Sequence, residues 1–321
     1  MLGTRAVWSV FFIGMMVLDT GLVSGQTYPS KPVRIVTGSV GSSGDFTARI
    51  IAQGLSGPLG QQVIVENRAA GLILITTAAK ATPDGYTLLV YTNGLWITPL
   101  IEKVPWDPVQ DFSPIILTSR TPSIVVVHPS LPVKSVKELI GLAKAKPGEL
   151  NYAAAGIGGA THLSVELFKA MAGVNIAYIP YKGSGLAIID LISGHVQLMF
   201  ATAGSVTLHI KSGRLKALAV TSARPSELVP GLPTVAASGL PDYESVSIFG
   251  AFAPAKTPPP IINRLNQEIL LLLNRTDVKE KFLSSGIETV GSSPEQLAAT
   301  IKSESARLGK VIKDAGIRAP Q

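Results

Sequence analysis

The feature that most constrains this chain is a design that occurs twice. In the first copy an apolar run (Val33, Ile35, Val36) leads into a turn carrying Gly38, Gly41 and Gly44. A helical pattern follows from Asp45, with Phe46, Ile50, Ile51 and Leu55 on its apolar side and Gly60 at its end. A second strand, Val63–Val65, comes next. The second copy begins with Asn151–Ala154 and a glycine turn (Gly156, Gly158, Gly159). It continues with Leu163, Leu167, Phe168 and Met171 near helical spacing, Gly173 as a stop, and a strand at Ile176–Ile179. Two strand–turn–helix–strand units predict two similar α/β lobes.

In open α/β sheets ligands lie at the carboxyl ends of strands, against helix N-termini. A Gly/Ser turn lets backbone donors approach a ligand, and the helix end adds a partly positive field. Asp45 is placed to cap the first helix. Two facing lobes would aim two anion-attracting ends into one cleft. Each turn alone also reads as a tight reversal with no ligand; the duplication favours the cleft.

Residues 1–25 read as a cleavable secretory signal: Arg5, the apolar run Ala6–Leu18, and the small residues Val23-Ser24-Gly25 before Gln26. An uncleaved anchor is the alternative, although the run is short for a membrane span. No later stretch is apolar for about 18 residues, so the mature chain is expected to be soluble. The chain has no cysteine, which removes disulfides, thiolate metal sites, cysteine nucleophiles and a lipidated N-terminal cysteine. A periplasmic address fits best. The 28 Lys+Arg against 21 Asp+Glu give +7, a modest bias toward anionic ligands. The basic residues are scattered and aromatics are only 6%, so no nucleic-acid stripe is present.

The intervening chain predicts a helix in the stretch after Asn67-Arg68, a turn at Pro83-Asp84-Gly85, a strand at Tyr86–Tyr91 and a surface loop over Pro105–Pro114 anchored by Trp106 and Phe112. Ile124–Val127 reads as a buried strand, and Val127–His128 as the first crossing between lobes. Ser135-x-x-Glu138 matches a capping box. Further strands are expected at Val196–Phe200, Leu215–Thr221 (the return crossing) and Phe249–Ala253. Thr257-Pro258 and Ser293-Pro294 each place a cap before a first-turn proline, and Leu297, Ile301, Leu308 and Ile312 form an apolar stripe.

Activated chemistry is absent. His128, His162, His195 and His209 are dispersed without metal-ligand spacing, and His162, at the second helix start, reads as a cap or packing group before a catalytic base. There is no G-x-S-x-G elbow and no phosphate loop with Lys-Ser/Thr. Gly38, Gly41 and Gly44 lack the dinucleotide spacing. A secreted hydrolase using His162 is therefore the least supported reading; no cofactor, metal or catalytic residue is expected.

The ordered stretches YPSKPVRIV, GDFTAR, VENR, ATPDGYTLL, PWDPVQDFSPI, VVVHPSLPVKSVKELIGLAKAKPGELNYA, THLSVELFKAMAGV, IPYKGSG, GRLKALAVTS, PGLPTVAASGLPDYE and GSSPEQ cover essentially the whole mature chain. Together they resemble the Bug receptors, the substrate-binding proteins of tripartite tricarboxylate transporters. The resemblance implies a type II periplasmic binding protein fold, α/β, with two Rossmann-like lobes joined by two crossing strands. Lobe 1 would comprise 26–127 plus 222–321 and lobe 2 would comprise 128–221. It implies a monomer that closes on a small organic carboxylate and serves membrane transporter subunits or, alternatively, a sensor kinase.

By the same resemblance, ligand loops fall on Gly41–Asp45, Asn67–Gly71, Thr92–Asn93, Gly156–His162, Tyr181–Gly183 and Ala201–Ala203. The expected ligand-binding residues are Gly41, Ser42, Ser43, Asp45, Asn93, Gly156, Gly158, Gly159, Ala160, Thr161, His162, Tyr181, Lys182, Ala201 and Thr202. The hydroxyls of Ser42, Ser43, Thr161 and Thr202 can equally be turn or cap groups. Three departures stand out. The usual Pro-Gly-Gly is Val40-Gly41-Ser42; the glycine run after Asn-Arg is Ala69-Ala70-Gly71-Leu72; and Ala201-Thr202 replaces the Asp of amino-acid-binding members. A buried ammonium needs a partner, so the ligand is expected to carry none.

Overall fold

A computed structural model describes residues 28–38, 40–68, 72–155, 159–181, 183–314 and 316–317. The signal-peptide reading of residues 1–25 lies outside them, as do Gly156, Gly158 and Lys182 among the expected site residues. In chain order the elements are β1 (Val33–Thr37), α1 (Ser43–Leu59), β2 (Val63–Asn67), α2 (Leu72–Ala79), β3 (Thr87–Thr92), α3 (Gly94–Ile97) and β4 (Phe112–Val127). Then come α4 (Val136–Ala145), β5 (Asn151–Ala155), α5 (Ala160–Ala172), β6 (Ala177–Tyr181), α6 (Ser184–Ile192), β7 (Leu198–Thr202), α7 (Ala203–Lys211) and β8 (Lys216–Val220). The chain ends with β9 (Val246–Pro254), α8 (Pro259–Leu273), α9 (Thr276–Ser284), β10 (Glu288–Thr289) and α10 (Pro294–Asp314).

Strand β4 organises the sheet, whose order is β2-β1-β3-β9-β4-β7-β5-β6 with β8 and β10 also on β4. From Phe112 to Pro122 it lies antiparallel to β9; from Ser123 to Val127 it lies antiparallel to β7. The change of partner falls at a proline, which has no N–H to offer a ladder and so tolerates the break. On one side β1 runs parallel to β2 and β3; on the other β5 runs parallel to β6 and β7. Each half therefore carries its own parallel βαβ set, with helices on both faces, and the two join through β4 and the chain returning into β9. This is the type II periplasmic binding protein architecture.

Each half has a core on both faces of its sheet. In the first half Ile51 and Leu55 of α1, Leu265 of α8 and Phe282 of α9 pack on one face, while Trp96, Phe252 and Leu297 pack on the opposite face. In the second half Phe168, Phe200 and Tyr243 occupy one face and Ile188, Met199 and Val206 the other. Helix α10 lies along the junction. Its stripe Leu297, Ile301, Leu308 and Ile312 is buried, and it shares its cluster with Leu163 of α5. Arg307 also donates to the Glu244 carbonyl at 2.6 Å.

Local signals behave as their chemistry dictates, with three corrections. Ser42, not Asp45, caps α1: its Oγ accepts the Asp45 N–H at 3.2 Å, and Asp45 reaches back to the Gly41 N–H at 2.9 Å. Thr257 caps nothing, because its hydroxyl donates to the Pro254 carbonyl and α8 starts after Pro258. The loop expected to run through Pro114 ends at Phe112, where β4 begins, so Ile124–Val127 is only the tail of a 16-residue strand. Trp106 does anchor its loop, donating Nε1–H to the Leu95 carbonyl at 2.9 Å. The capping box at Ser293 forms in full; at Ser135 the hydroxyl accepts the Glu138 N–H, but Glu138 takes the Lys134 N–H rather than that of Ser135. Gly60 and Gly173 end their helices in the left-handed conformation.

Candidate functional site

The described candidate residues gather at the carboxyl ends of β1, β3, β5, β6 and β7. Register locates these ends relative to one another. Thr92, ending β3, is opposite Phe249 of β9, which is opposite Ser119 of β4; Thr202, ending β7, is opposite Ser123 of β4. The two ends therefore flank the stretch Ser119–Ser123, about 13 Å of strand at roughly 3.3 Å per residue. That stretch, with Val246–Phe249 beside it, forms the floor between the halves. Ser119 Oγ and Thr121 Oγ1 are buried there and make no hydrogen bond to the described chain.

The β1 corner is held by its own side chains. Gly41 has φ +79°, a left-handed turn that a side chain would strain. Asn67 Nδ2–H donates to the Gly38 carbonyl at 2.8 Å and to Asp45 Oδ1 at 2.7 Å, and Arg49 reaches the same carboxylate at 2.9 Å. Burial pushes the Asp45 carboxyl up, but Arg49, Asn67 and the Gly41 amide outweigh it and hold the group below the usual carboxylate range. Asp45 is thus ionised and already partnered. Phe46 N–H bonds the Ser42 carbonyl and Asp45 N–H bonds Ser42 Oγ, so the Ser43 and Gly44 amides lie ahead of the helix's first bonds. The ring of Phe249 stands beside Gly44.

At the β3 end Asn93 is 4% exposed; its N–H donates to Ile248 O and its Nδ2–H to Val246 O. It therefore ties β3 to β9 beside the floor. At the β5 end Gly159 is the extended residue before α5, with Ala160 and Thr161 half-buried in the first turn. His162 is 4% exposed, its ring centroid 4.5 Å from that of Tyr178 and 6.2 Å from that of Tyr152. Tyr152 and Lys169 both donate to Glu166 Oε1 at 2.6 Å below it. Burial pushes the His162 imidazole down, against Glu166 and with Lys169, so it is neutral at neutral pH.

At the β6 end Tyr181 gives its hydroxyl to Asp190 at 2.6 Å; burial and that carboxylate push the phenol up to about 12. At the β7 end Ala201 is buried and Thr202 precedes α7, its Oγ1 donating to Ser205 at 3.1 Å. Beyond it, Gly204 meets Gly286 at the end of α9. Among the described residues no group of His, Asp or Glu has the arrangement of a metal site, and no helix is long and apolar enough to cross a membrane. The floor hydroxyls and Phe249 carried no signal in the sequence, because nothing local marks a strand that changes partner.

A two-lobed sheet with helix N-termini gathered at one set of strand ends defines a type II periplasmic binding protein. A family model described as the tripartite tricarboxylate transporter family receptor matches residues 47–317, and the chain belongs to that family. It is 36% identical over 315 residues to BugT of Bordetella pertussis, covering 95% of this chain and 97% of BugT. A solved structure described as R. palustris Rpa4515 with adipate has 36% identity and a TM-score of 0.77, covering 91% of this chain and 100% of the other. The periplasmic binding protein BugD has 32% identity and a TM-score of 0.73, over 91% and 100%.

Proposed function

We propose that the chain is a periplasmic receptor, exported by a cleaved signal, that captures a small organic carboxylate lacking an ammonium group. It closes around the solute and delivers it to a tripartite tricarboxylate-type transporter. The observation that carries this reading is the convergence of the α1, α5 and α7 starts on the floor strand Ser119–Ser123. Helix starts attract carboxylates. Adipate in a relative at 36% identity supports the ligand class.

The absence of an ammonium follows from Asp45, whose carboxylate is already engaged by Gly41, Asn67 and Arg49, and from Thr202 standing at the β7 end. Binding at micromolar strength needs about −8 kcal/mol. Charge-assisted hydrogen bonds contribute roughly 1.5–3 kcal/mol each and a helix end about 0.3–2, so three or four donors from the Ser42, Ser43 and Thr161 hydroxyls and the amides of the helix starts are on the right scale, with Thr202 joining them by turning its hydroxyl away from Ser205. Lobe 1 is the chain before Ser123 and after Ser245, and lobe 2 is the chain between, so that Val235, Leu240 and Tyr243 stay with the second-half core in which they pack. The bend itself lies at Pro122–Ser123 and Ser245–Val246, where the ladder changes partner. Closure is a lobe rotation favoured by contacts made only in the shut form.

Titration calorimetry against dicarboxylates, aromatic acids and amino acids tests this. Heat from acids without an amino group is the expected result. Silence toward every acid, with tight binding of an amine or sugar, would refute it.

A further inference from the structure

Three aliphatic side chains stand in solvent at the carboxyl end of the β1–β2 pair: Val40 is 74% exposed, Leu72 49% and Ile73 68%. The two strands are adjacent and parallel, with Thr37 opposite Asn67. Their loops are tied by Arg68 N–H to Thr37 O and by Asn67 to Gly38 O. The equivalent corner of the other half, after β6, presents Leu186 in the first turn of α6, 57% exposed. Hydrocarbon thus edges the same corners that hold the candidate donors.

The cations of the first corner are engaged. Arg49 holds Asp45 and Asn67, while Arg34 and Arg68 both hold Glu66, at 2.9 and 2.6 Å. Among the described residues, a solute entering there meets neutral donors at the helix ends and aliphatic groups at the rim.

We infer that this rim sets specificity: the receptor prefers carboxylates whose body is unsubstituted hydrocarbon. Val40, Leu72 and Ile73 of one lobe and Leu186 of the other cover that body on closure. The inference rests on the carboxylate-receptor reading above. A hydroxyl or third carboxylate on the body would be enclosed by these side chains without a hydrogen-bond partner, which is unfavourable.

Calorimetry of the purified protein with succinate, adipate, suberate and citrate tests it. Affinity is expected to rise roughly fourfold per added methylene, the equivalent of about 0.8 kcal/mol per buried CH2, and citrate to bind more weakly than adipate. Leu72→Asn and Ile73→Asn, at exposed positions that leave the core intact, should each lower suberate affinity more than succinate affinity, with an unchanged melting temperature. A flat or falling chain-length series, citrate above adipate, or a rise that both variants preserve would overturn the rim while leaving carboxylate capture standing. Silence toward all four acids would overturn both.

Discussion

Ser123 and Thr221 hold each other where the two halves of the sheet meet. Ser123 N–H donates to Thr221 Oγ1 at 2.8 Å, and Thr221 returns its N–H and its hydroxyl to the Ser123 carbonyl at 2.9 and 3.1 Å. Both residues are buried, and Ser245 N–H extends the link by bonding Thr221 O at 2.8 Å. The first strand of the second half is thereby tied to the chain re-entering the first.

Thr221→Val keeps the shape but leaves the Ser123 amide without its acceptor. It is expected to lower stability by about 1–3 kcal/mol, the cost of an unsatisfied buried donor, whereas Thr221→Ser retains most of it. Urea unfolding measures both; equal midpoints for the valine and serine variants would show that the hydroxyl is idle.

Gly286 and Gly173 separate two reasons for glycine. Both have left-handed backbones, φ +74° and +62°, but a Cβ at 286 would lie 2.9 Å from Gly204 N while one at 173 meets open space. Gly173→Ala should cost about 1–2 kcal/mol from conformation alone. Gly286→Ala should add about 1–3 kcal/mol of overlap and push the start of α7 off the end of α9. Matching denaturation midpoints would mean that the close approach is not what requires glycine.

His162 predicts a pH dependence of stability. Burial holds its folded-state pKa below the ordinary histidine value, so between the two pKa values the unfolded chain binds the proton and the folded one does not. Stability contributed by neutral His162 is therefore present above the unfolded pKa, near 6.5, and lost as pH falls toward its folded pKa. Unfolding free energies from pH 7.5 down to 5.5 should decline, and His162→Phe should flatten that decline. A wild-type profile that is level across this window would contradict the assignment.

Ser42 and Asp45 hold one turn from two directions. Ser42→Ala should cost about 1 kcal/mol as a lost N-cap. Asp45→Ala should cost about 1–3 kcal/mol through its lost hydrogen bonds, and should weaken carboxylate binding. The double variant is expected to lose less than the sum, since each change frees the same loop. Strict additivity in a double-mutant cycle would show that the two act independently.

Much of this architecture is legible in local chemistry. Gly60 and Gly173 mark their helix ends because only the left-handed backbone closes those turns. Ser293 and Gln296 mark the start of α10 by satisfying each other's amides. The length of β4 was not legible, since the stretch through Pro114 reads as a loop; Pro114 is accommodated at a register shift and Pro122 at the change of partner. Asp45 read as a cap because acidic residues favour that position, yet Ser42 lies one step before the helix and accepts Asp45's own N–H, while the Asp45 carboxylate turns back to the Gly41 N–H. Within the site, the left-handed turn at Gly41 was visible, but Asn93 bonding β9 depends on a contact between strands distant in sequence.

The place of β9 between β3 and β4 orders the assembly of the molecule. A chain made N-terminus first presents β1, β2 and β3 early, but the ladder joining them to β4 is missing until Val246–Pro254 has been synthesised. Everything from β5 to β8 emerges in the interval and can complete its own parallel set beforehand. Biogenesis of this protein is therefore expected to run from the middle of the chain outward, with the N-terminal segment waiting longest for its neighbours.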